Sequence, residues 1–520
     1  MTSPTDLAPF SPFAMRSPLG GVLSDVAATA PEGVAEMVAK ARAAQVGWAE
    51  FSVEERIRRL RPLKSRVLDA AERIANIVHR EIGKPEAEAL SAEVIATADV
   101  VDYWCDAIEE HLVDRPIAID PLAYPKKRGV LSREARGVVV VIAPWNFPFA
   151  LPLRTIVPAV LAGNAVILKP SEISPRTGAA IGEMLAGLFP DGVFQVAQGG
   201  GEIGGALCKA DVDLVCFTGS VATGRRVALA CAERLIPCAL ELGGKDAAIV
   251  LADANLDRAA HGIAWGALAN AGQNCAAVER VYVVKSVADA FTKKVVDVVK
   301  GLRAPDDVGP LATERQRAIV RDHVKGAVEG GAKILTGGEG DDTAGANPYA
   351  FAPTVLAVDS DDIALMKDET FGPVIPIAVV ADEEEAIKRA NASRFGLTAS
   401  IWTTPSHGAR LAQRLRAGVV TVNNHSFTGA LPGAPWSGYG ESGYGITGST
   451  LALDALTRPR FVLVDSNNAP RELWWYPYTP AFKAVLLAMA VLRSATTGIA
   501  AKVRAVVSLV SAMPKRLSGG

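Results

Sequence analysis

Cysteine and histidine are scarce in this 520-residue chain, six of each, and neither occurs at a spacing that holds a metal. The cysteines (105, 208, 216, 231, 238 and 275) form no C-x-x-C pair and lie mostly in apolar surroundings. That argues for reduced thiols in a cytoplasmic setting rather than disulfides or a zinc centre. His79, His111, His261, His323, His407 and His425 are scattered, and no metal site is expected. A basic excess is missing too. The formal charge is -2, and the body of the chain has no basic strip laced with aromatics, so nothing favours a nucleic-acid partner. Met1 to Gly20 contains several prolines and no long apolar core, which excludes a secretory leader and leaves a cytoplasmic protein as the expectation. No solenoid repeat is present. What remains is an ordinary globular composition, 49% hydrophobic and 21% charged. The length exceeds one compact core and implies two or three domains.

From Glu32 to Ala49, Glu54 to Ile82 and Glu86 to Ile108, apolar residues recur at helical spacing. Tyr124 to Glu134 is polar and basic, a protruding hairpin or a linker. After it the texture changes. Gly137-Val-Val-Val-Val-Ile-Ala143 is a continuous β-branched run, as expected of a strand buried on both faces. Similar runs follow at 165–168, 193–197, 214–217, 238–242 and 247–251, separated by helical segments such as Thr177 to Leu188 and Thr223 to Leu235. Such alternation predicts a mostly parallel sheet with helices on both faces. Ligands in these sheets bind beyond the carboxyl ends of the strands.

The residues after each run carry chemistry. The first run ends in Pro144-Trp-Asn-Phe-Pro148, a turn stiffened by two prolines around Asn146. The next ends in Lys169-Pro-Ser-Glu172, which puts a cation and a carboxylate at one strand tip. Phe217-Thr-Gly-Ser220 leads through Gly219 to Gly224 into a helix start, a turn suited to pyrophosphate. Glu241-Leu-Gly-Gly-Lys245 ends a further strand, and Asp368-Glu-Thr-Phe-Gly-Pro373 is another acid-bearing turn. Between these two lies Ala271-Gly-Gln-Asn-Cys275, a small-residue loop after an apparent helix from His261 to Asn270. It presents one thiol with little bulk beside it, and nucleophilic chemistry there needs a thiolate and donors for an oxyanion. A second strand–helix region follows: Arg280 to Lys285, Ala288 to Leu302, Val374 to Val380, Glu383 to Asn391, Leu397 to Trp402, Ser406 to Arg416 and Val419 to Asn423. Each feature has a plain structural reading beside the functional one. Glu241 can pair with Lys245, Asn146 can cap its own turn, and Cys208, Cys216, Cys231 and Cys238 can simply pack.

Taken together, P-W-N-F-P, K-P-S-E, F-T-G-S-x-x-x-G, E-L-G-G-K, G-Q-x-C and E-x-F-G-P resemble, in order and separation, the aldehyde dehydrogenase superfamily over residues 20 to 465. The resemblance implies a Rossmann-like NAD-binding α/β domain (1–116 and 137–244), an α/β catalytic domain (245–458) and a small β oligomerisation extension (117–136 and 459–465). It implies oxidation of an aldehyde to a carboxylic acid through a thiohemiacetal and thioester on Cys275. Asn146 and the Cys275 backbone N–H would hold the oxyanion, and Glu241 would activate water. Ala143, Pro144 and Trp145, then Lys169, Ser171 and Glu172, then Phe217, Thr218, Gly219, Ser220 and Gly224, then Leu242, Gly243, Glu369 and Phe371 would bind the cofactor. Lys169 and Glu172 resemble the pair that holds the adenosine ribose, which favours NAD while leaving NADP possible. Glu369 resembles the partner of the nicotinamide ribose. A homodimer or homotetramer is implied.

The chain also departs from the family's pattern. Arg133-Glu-Ala-Arg-Gly137 lacks a proline common there, Pro435-Trp-Ser-Gly-Tyr-Gly-Glu-Ser-Gly443 replaces a P-F-G-G motif, and Ile446 to Thr450 carries no second glutamate. Beyond Asp465 the tail, 466–520, is apolar, aromatic and basic, with Glu472 its only acid. Residues 471–516 suit peripheral membrane contact, a lid over the aldehyde entrance or a subunit contact; the run Ala484 to Leu492 is about half a bilayer span. Such a tail suits a fatty or otherwise apolar aldehyde. Two rivals stand beside this reading: transfer of the acyl group to coenzyme A, and a catalytically silent scaffold of the same fold.

Overall fold

A computed structural model describes residues 15–23, 26–121, 123–338, 347–425, 427–472 and 474–517. The described chain divides into two compact units: one runs to Val113 and resumes over Arg133–Arg460, and the other joins Asp114–Ser132 to the chain from Phe461.

The first unit opens on helices. Gly33–Glu50 is followed by Val53–Leu60, Pro62–Asp69 and Ala71–Ile82, so the single run expected over Glu54 to Ile82 is three helices. Pro62 has no N–H to continue the preceding helix, and Ala70 leaves helical geometry at φ -99° and ψ 14°. Glu86–Ala89, a π-helical turn at Leu90–Ile95 and Ala96–Leu112 complete the array.

A six-stranded sheet follows, in the order Gly443–Tyr444, Cys238–Glu241, Leu214–Thr218, Val138–Ile142, Ala165–Lys169, Phe194–Val196. All neighbours are parallel except the Gly443–Tyr444 edge. Val138–Ile142 and Ala165–Lys169 are buried throughout, as their unbroken apolar runs require. From Val138–Ile142 the chain steps outward to two strands on one side, then returns to build on the other. The order therefore reverses between Val138–Ile142 and Leu214–Thr218, and a crevice opens beyond the carboxyl ends of strands at such a reversal.

The second sheet runs Lys333–Thr336, Thr354–Val358, Val374–Val380, Val278–Val284, Asp246–Val250, Thr398–Trp402, Val419–Val422, parallel except for its first strand. The strand expected from Arg280 to Lys285 begins two residues earlier, and the helix expected from His261 to Asn270 is Leu256–Leu268. That helix stops because Asn270 and Ala271 both sit in the left-handed region, at φ 54° and 56°.

The basic stretch from Tyr124 is mostly strand. Lys127–Ala135 is central in a three-stranded sheet between Thr457–Asp465 and Arg115–Ile117. In the second unit Lys127 Nζ is 2.8 Å from Asp465 Oδ2 and 2.7 Å from Glu472 Oε1, with the Trp474 ring 5.2 Å away. These contacts tie the tail to the β extension, so both fall in one unit. The tail helices Pro480–Arg493 and Ile499–Leu517 pack on each other and bury Phe482, Val485, Ala488, Ala505 and Ala512. Leu486, Leu487, Val503, Val507 and Val510 stay exposed. No helix among the described residues is long and apolar enough to cross a membrane.

Candidate active site

Three turns from distant parts of the chain meet around Cys275. Asn146 follows Val138–Ile142, where the first sheet reverses, and is buried. Its Nδ2 donates to the Gln273 carbonyl at 3.2 Å, and its own carbonyl accepts from Asn270 Nδ2 at 3.0 Å. Since an amide carries two N–H groups, one remains for a ligand. Glu241 ends the Cys238–Glu241 strand, and the Gly-Gly after it explains the approach of the nucleophile's loop. A Cβ on Gly244 would lie 2.3 Å from the Cys275 carbonyl oxygen. Gly272 is similarly constrained: its φ is +71°, and a Cβ there would lie 2.1 Å from the Gly372 carbonyl. The motifs at 146, 241–245, 271–275 and 368–373 are therefore one cluster. Its strained Asn270–Ala271 pair holds the thiol loop open.

Lys245 does not pair with Glu241. Its Nζ forms a buried ion pair with Glu279 and donates to Thr370 Oγ1 at 3.1 Å. Glu279 in turn accepts the Thr370 and Phe371 N–H groups, each at 2.8 Å, so this pair fixes the Glu369 turn. Among the described residues Glu241 is left with one weak contact, the Thr447 hydroxyl at 3.5 Å from Oε1, while Oε2 is buried without a partner. Burial raises its pKa well above the ordinary carboxylate value, opposed by the charge of Arg154. A carboxylate shifted in this direction is a stronger base than an exposed one, as a general base requires.

The Cys275 side chain is half-buried. Its thiol is pushed up by desolvation first and then by the negative charges of Glu369, Asp246 and Glu241. The resting sulfur is therefore a thiol, kept so by burial first and then by three carboxyl groups from other segments. His425 reaches the same loop from behind, with Nε2 2.8 Å from the Ala276 carbonyl. Burial lowers its pKa to about 4, so it is neutral and donates to that oxygen.

The cofactor candidates gather at the sheet's reversal. Ala143 donates its N–H to the Lys169 carbonyl at 2.9 Å, and Gly219 donates to the Glu241 carbonyl at 3.0 Å. Ala143, Pro144, Phe217, Thr218 and Glu241 line one cleft. Lys169 Nζ is buried 3.7 Å from Glu172 Oε2, which is half exposed at the rim. Ser220 caps the helix Val221–Glu233, and Gly224 lies in its first turn. Leu242 donates to the Ser442 carbonyl at 3.1 Å, and Gly243 accepts from Ser442 Oγ at 2.7 Å. Glu369 accepts the Gly244 N–H at 2.9 Å and is raised to about 8, chiefly by burial and then by Glu279. Phe371 meets Trp145 edge to face at 5.6 Å. Ser171 is turned inward, its Oγ accepting the Ile173 N–H at 3.2 Å. This donor set fits a dinucleotide: carboxylates for ribose hydroxyls, a helix N-terminus for pyrophosphate and an aromatic floor.

Sequence reasoning missed the residues that brace these turns. Glu93 accepts the Phe149 and Ala150 N–H groups at 3.1 and 2.8 Å, just after the Asn146 turn. It also forms a buried ion pair with Lys84, whose ammonium lies 3.7 Å from the centre of the Phe147 ring. Glu88 accepts the Asn270 N–H at 2.7 Å. Glu88 and Glu93 are five residues apart, the spacing of the π-helical turn between them rather than of an α-helix. That spacing was the available signal.

Comparison with known proteins gives the same answer as the geometry. The model of the family described as "Aldehyde dehydrogenase family" matches residues 11–462. The 4,4'-diapolycopene aldehyde oxidase of a Methylomonas species is 37% identical over 478 residues, covering 90% of this chain and 88% of the relative. A protein of Mycobacterium ulcerans (strain Agy99), whose name includes "succinate-semialdehyde dehydrogenase [NADP(+)] 2", is 36% identical over 480 residues, covering 88% and 91%. The NAD+ complex of aldehyde dehydrogenase from Bacillus cereus superposes with a TM-score of 0.83 at 31% identity, covering 88% of this chain and 93% of that one. With two α/β sheets meeting at a cysteine, an amide and a carboxylate, the chain belongs to the aldehyde dehydrogenase family and oxidises an aldehyde to a carboxylic acid with NAD or NADP.

Proposed function

We propose that Cys275, Asn146 and Glu241 carry the reaction. The Cys275 sulfur loses its proton to a base and bonds to the aldehyde carbon. The free Asn146 N–H and the Cys275 backbone N–H stabilise the resulting oxyanion, each donor contributing roughly 3 kcal/mol to lowering the barrier. NAD(P), when bound, supplies the acceptor for the hydride that leaves that carbon. Glu241 then removes a proton from water as the water attacks the thioester carbon, and the acid leaves as the thiol re-forms. The observation that carries this reading is the shared Gln273 carbonyl, which joins Asn146 to a residue two before Cys275. Close packing of Gly244 on the Cys275 carbonyl brings the Glu241 turn to the same point.

Lys169, Glu172, Ser220, Gly224 and Glu369 hold the cofactor, with Ala143 to Trp145, Phe217 to Gly219, Leu242, Gly243 and Phe371 forming its walls; Ser171 shapes the turn between Lys169 and Glu172. The Glu172 carboxylate accepts from ribose hydroxyls and repels a 2′-phosphate, so NAD is the preferred form. The protein is a cytoplasmic homodimer or homotetramer, a reading supported by the exposed apolar edge Phe461 to Val464. The tail supports contact with a membrane surface and an apolar aldehyde substrate. Val503, Val507 and Val510 share one exposed helix face, Trp475, Tyr476 and Tyr478 are exposed as well, and the exposed charges Lys483, Arg493 and Arg504 are all cations. A relative whose name carries a carotenoid aldehyde is in keeping with that substrate class.

The test is NADH and NADPH formation across aldehydes of increasing chain length, with wild type, Cys275→Ala and a chain ending at Asp465. Loss of all turnover in Cys275→Ala, a preference for long chains and release of the shortened protein from liposomes are expected. Activity retained by Cys275→Ala refutes the nucleophile. Unchanged selectivity together with unchanged liposome binding refutes the role of the tail.

A further inference from the structure

The helix Ala150–Leu161 carries a single charged side chain, Arg154, and buries it to 6% exposure. Nη1 donates to the Gly429 carbonyl and Nη2 to the Ala434 carbonyl at 3.2 Å, so both ends of the guanidinium hold the loop that carries Thr447. The group lies 5.8 Å from the centre of the Trp436 ring, and a Cβ on Gly448 would lie 2.2 Å from Nη2. Trp436 and Thr447 exchange backbone hydrogen bonds of 2.8 and 2.9 Å, and Thr447 Oγ1 is the only hydrogen-bond donor that Glu241 has among the described residues. Leu151 and Thr155, on either side of Arg154, line the same cleft as Glu241 and Thr447. Among the described residues no carboxylate lies within ion-pair distance of Arg154, and its buried Nε has no partner. Burying a guanidinium this way is costly unless the field of an anion offsets it.

We propose that Arg154 is a positioning residue for the hydrolytic half of the reaction: it pins the 429–448 loop that brings Thr447 to Glu241, and it is the buried positive charge against which Glu241 ionises. This rests on the reading of Glu241 as the base. The groups that face Glu241 from the elements packed on it are Arg154 from its helix, the Cys216 thiol from the neighbouring strand, the Cys275 thiol and the Thr447 hydroxyl. Of these only Arg154 favours the anion by charge. Lys245, the nearest lysine in sequence, is committed to Glu279. Burial lowers the Arg154 pKa from the usual guanidinium value, and Glu241 and then Cys275 oppose that shift, which makes the coupling reciprocal.

The experiment forms the acyl-enzyme with an activated ester such as 4-nitrophenyl acetate and follows loss of the acyl group by quenched mass spectrometry between about pH 5 and pH 9. Wild type, Arg154→Met, Arg154→Lys and Glu241→Gln are compared, with steady-state kcat and KM measured alongside. In Arg154→Met the acid limb of deacylation moves up by about one pH unit or more, the loss falling on kcat. Arg154→Lys deacylates more slowly because both loop hydrogen bonds are disturbed, yet keeps the wild-type limb because the charge remains. Glu241→Gln acylates and does not deacylate. A limb that stays in place in Arg154→Met, a limb that moves equally in both variants, or a loss confined to KM overturns the assignment. If Arg154→Met does not fold, Arg154→Lys decides: a limb in the wild-type place supports the role and a displaced one overturns it. Normal deacylation by Glu241→Gln is a separate failure, that of the base itself, and takes this proposal with it.

Discussion

Neutralising Glu93 tests whether the Asn146 turn is braced from the helical array. In Glu93→Gln the Lys84 ammonium, fully buried in the wild type, keeps the Phe147 ring but loses its counter-charge. The two backbone N–H groups of Phe149 and Ala150 must then share one neutral amide oxygen in place of a carboxylate. Breaking a buried ion pair from one side costs about 3–5 kcal/mol, and weakening a hydrogen bond to a charged acceptor about 1.5–3. These overlap because the same oxygens are involved, so about 4 kcal/mol is the expected total, a large share of the roughly 5–15 that a domain possesses. In Lys84→Met/Glu93→Gln the stranded charge is gone, and only the weaker capping remains as a loss, about 1–2 kcal/mol. The assay is urea unfolding by tryptophan fluorescence, with kcat measured below the onset of unfolding. The single variant should lower the midpoint by on the order of 1 M and kcat by at least about tenfold, and the double variant should recover most of the stability. A single variant within about 1 kcal/mol of wild type, or a double variant no more stable than the single, would refute the reasoning.

Asn146→Ala should lower kcat by about 10²–10³ with little change in KM, since its free N–H acts on charge that develops only in the transition state; an effect on KM alone would count against the oxyanion role. Glu172→Gln should raise NADP use relative to NAD by about tenfold in kcat/KM, because the repelling charge is removed while an acceptor is kept; an unchanged ratio would mean that other residues set the choice. Glu369 has its folded pKa raised to about 8 from 4.5, so its contribution to stability is fully present below about 4.5 and is lost as pH rises through about 8. Melting curves should therefore show Glu369→Gln gaining on wild type over that window and levelling off above it, whereas parallel curves would mean that Glu369 is not perturbed.

The centre of the first sheet is readable from the chain because Val138–Ile142, Ala165–Lys169 and Leu214–Thr218 are short apolar runs buried on both faces. The turns after those strands are equally readable, since proline, glycine and an acid within five residues specify them locally. What is not readable comes from pairings across long separations. Lys245 stands four residues from Glu241 and is its natural partner on paper, but Glu279, 34 residues away, takes it. Nothing near Glu93 in sequence indicates that it caps the helix after Asn146, 56 residues on. The break at Ala70 in an otherwise helical run has no local cause in the sequence, since alanine there gives no warning. The state of Cys275 is of the same kind. The loop's residue types present a thiol, but its protonation depends first on burial and then on Glu369, Asp246 and Glu241, contributed by two other segments.

That electrostatic surrounding orders the proposed reaction. Sulfur and Glu241 each oppose ionisation of the other, so the site does not favour holding both anions at once. Attack on the aldehyde converts the sulfur from a potential anion into a neutral bonded atom, and a thioester sulfur carries no charge. A thiolate poised for attack opposes the Glu241 carboxylate; once that sulfur is bonded in the thioester its charge is gone, while Arg154 stays where it was. Glu241 therefore ionises more readily beside the thioester than beside a thiolate, at the step where it must take a proton from water. When the acid departs, the proton that Glu241 took from water passes to the released sulfur, which restores the thiol. Two acids that disfavour each other's anions, with one buried cation beside them, thus need hold only one negative charge at a time.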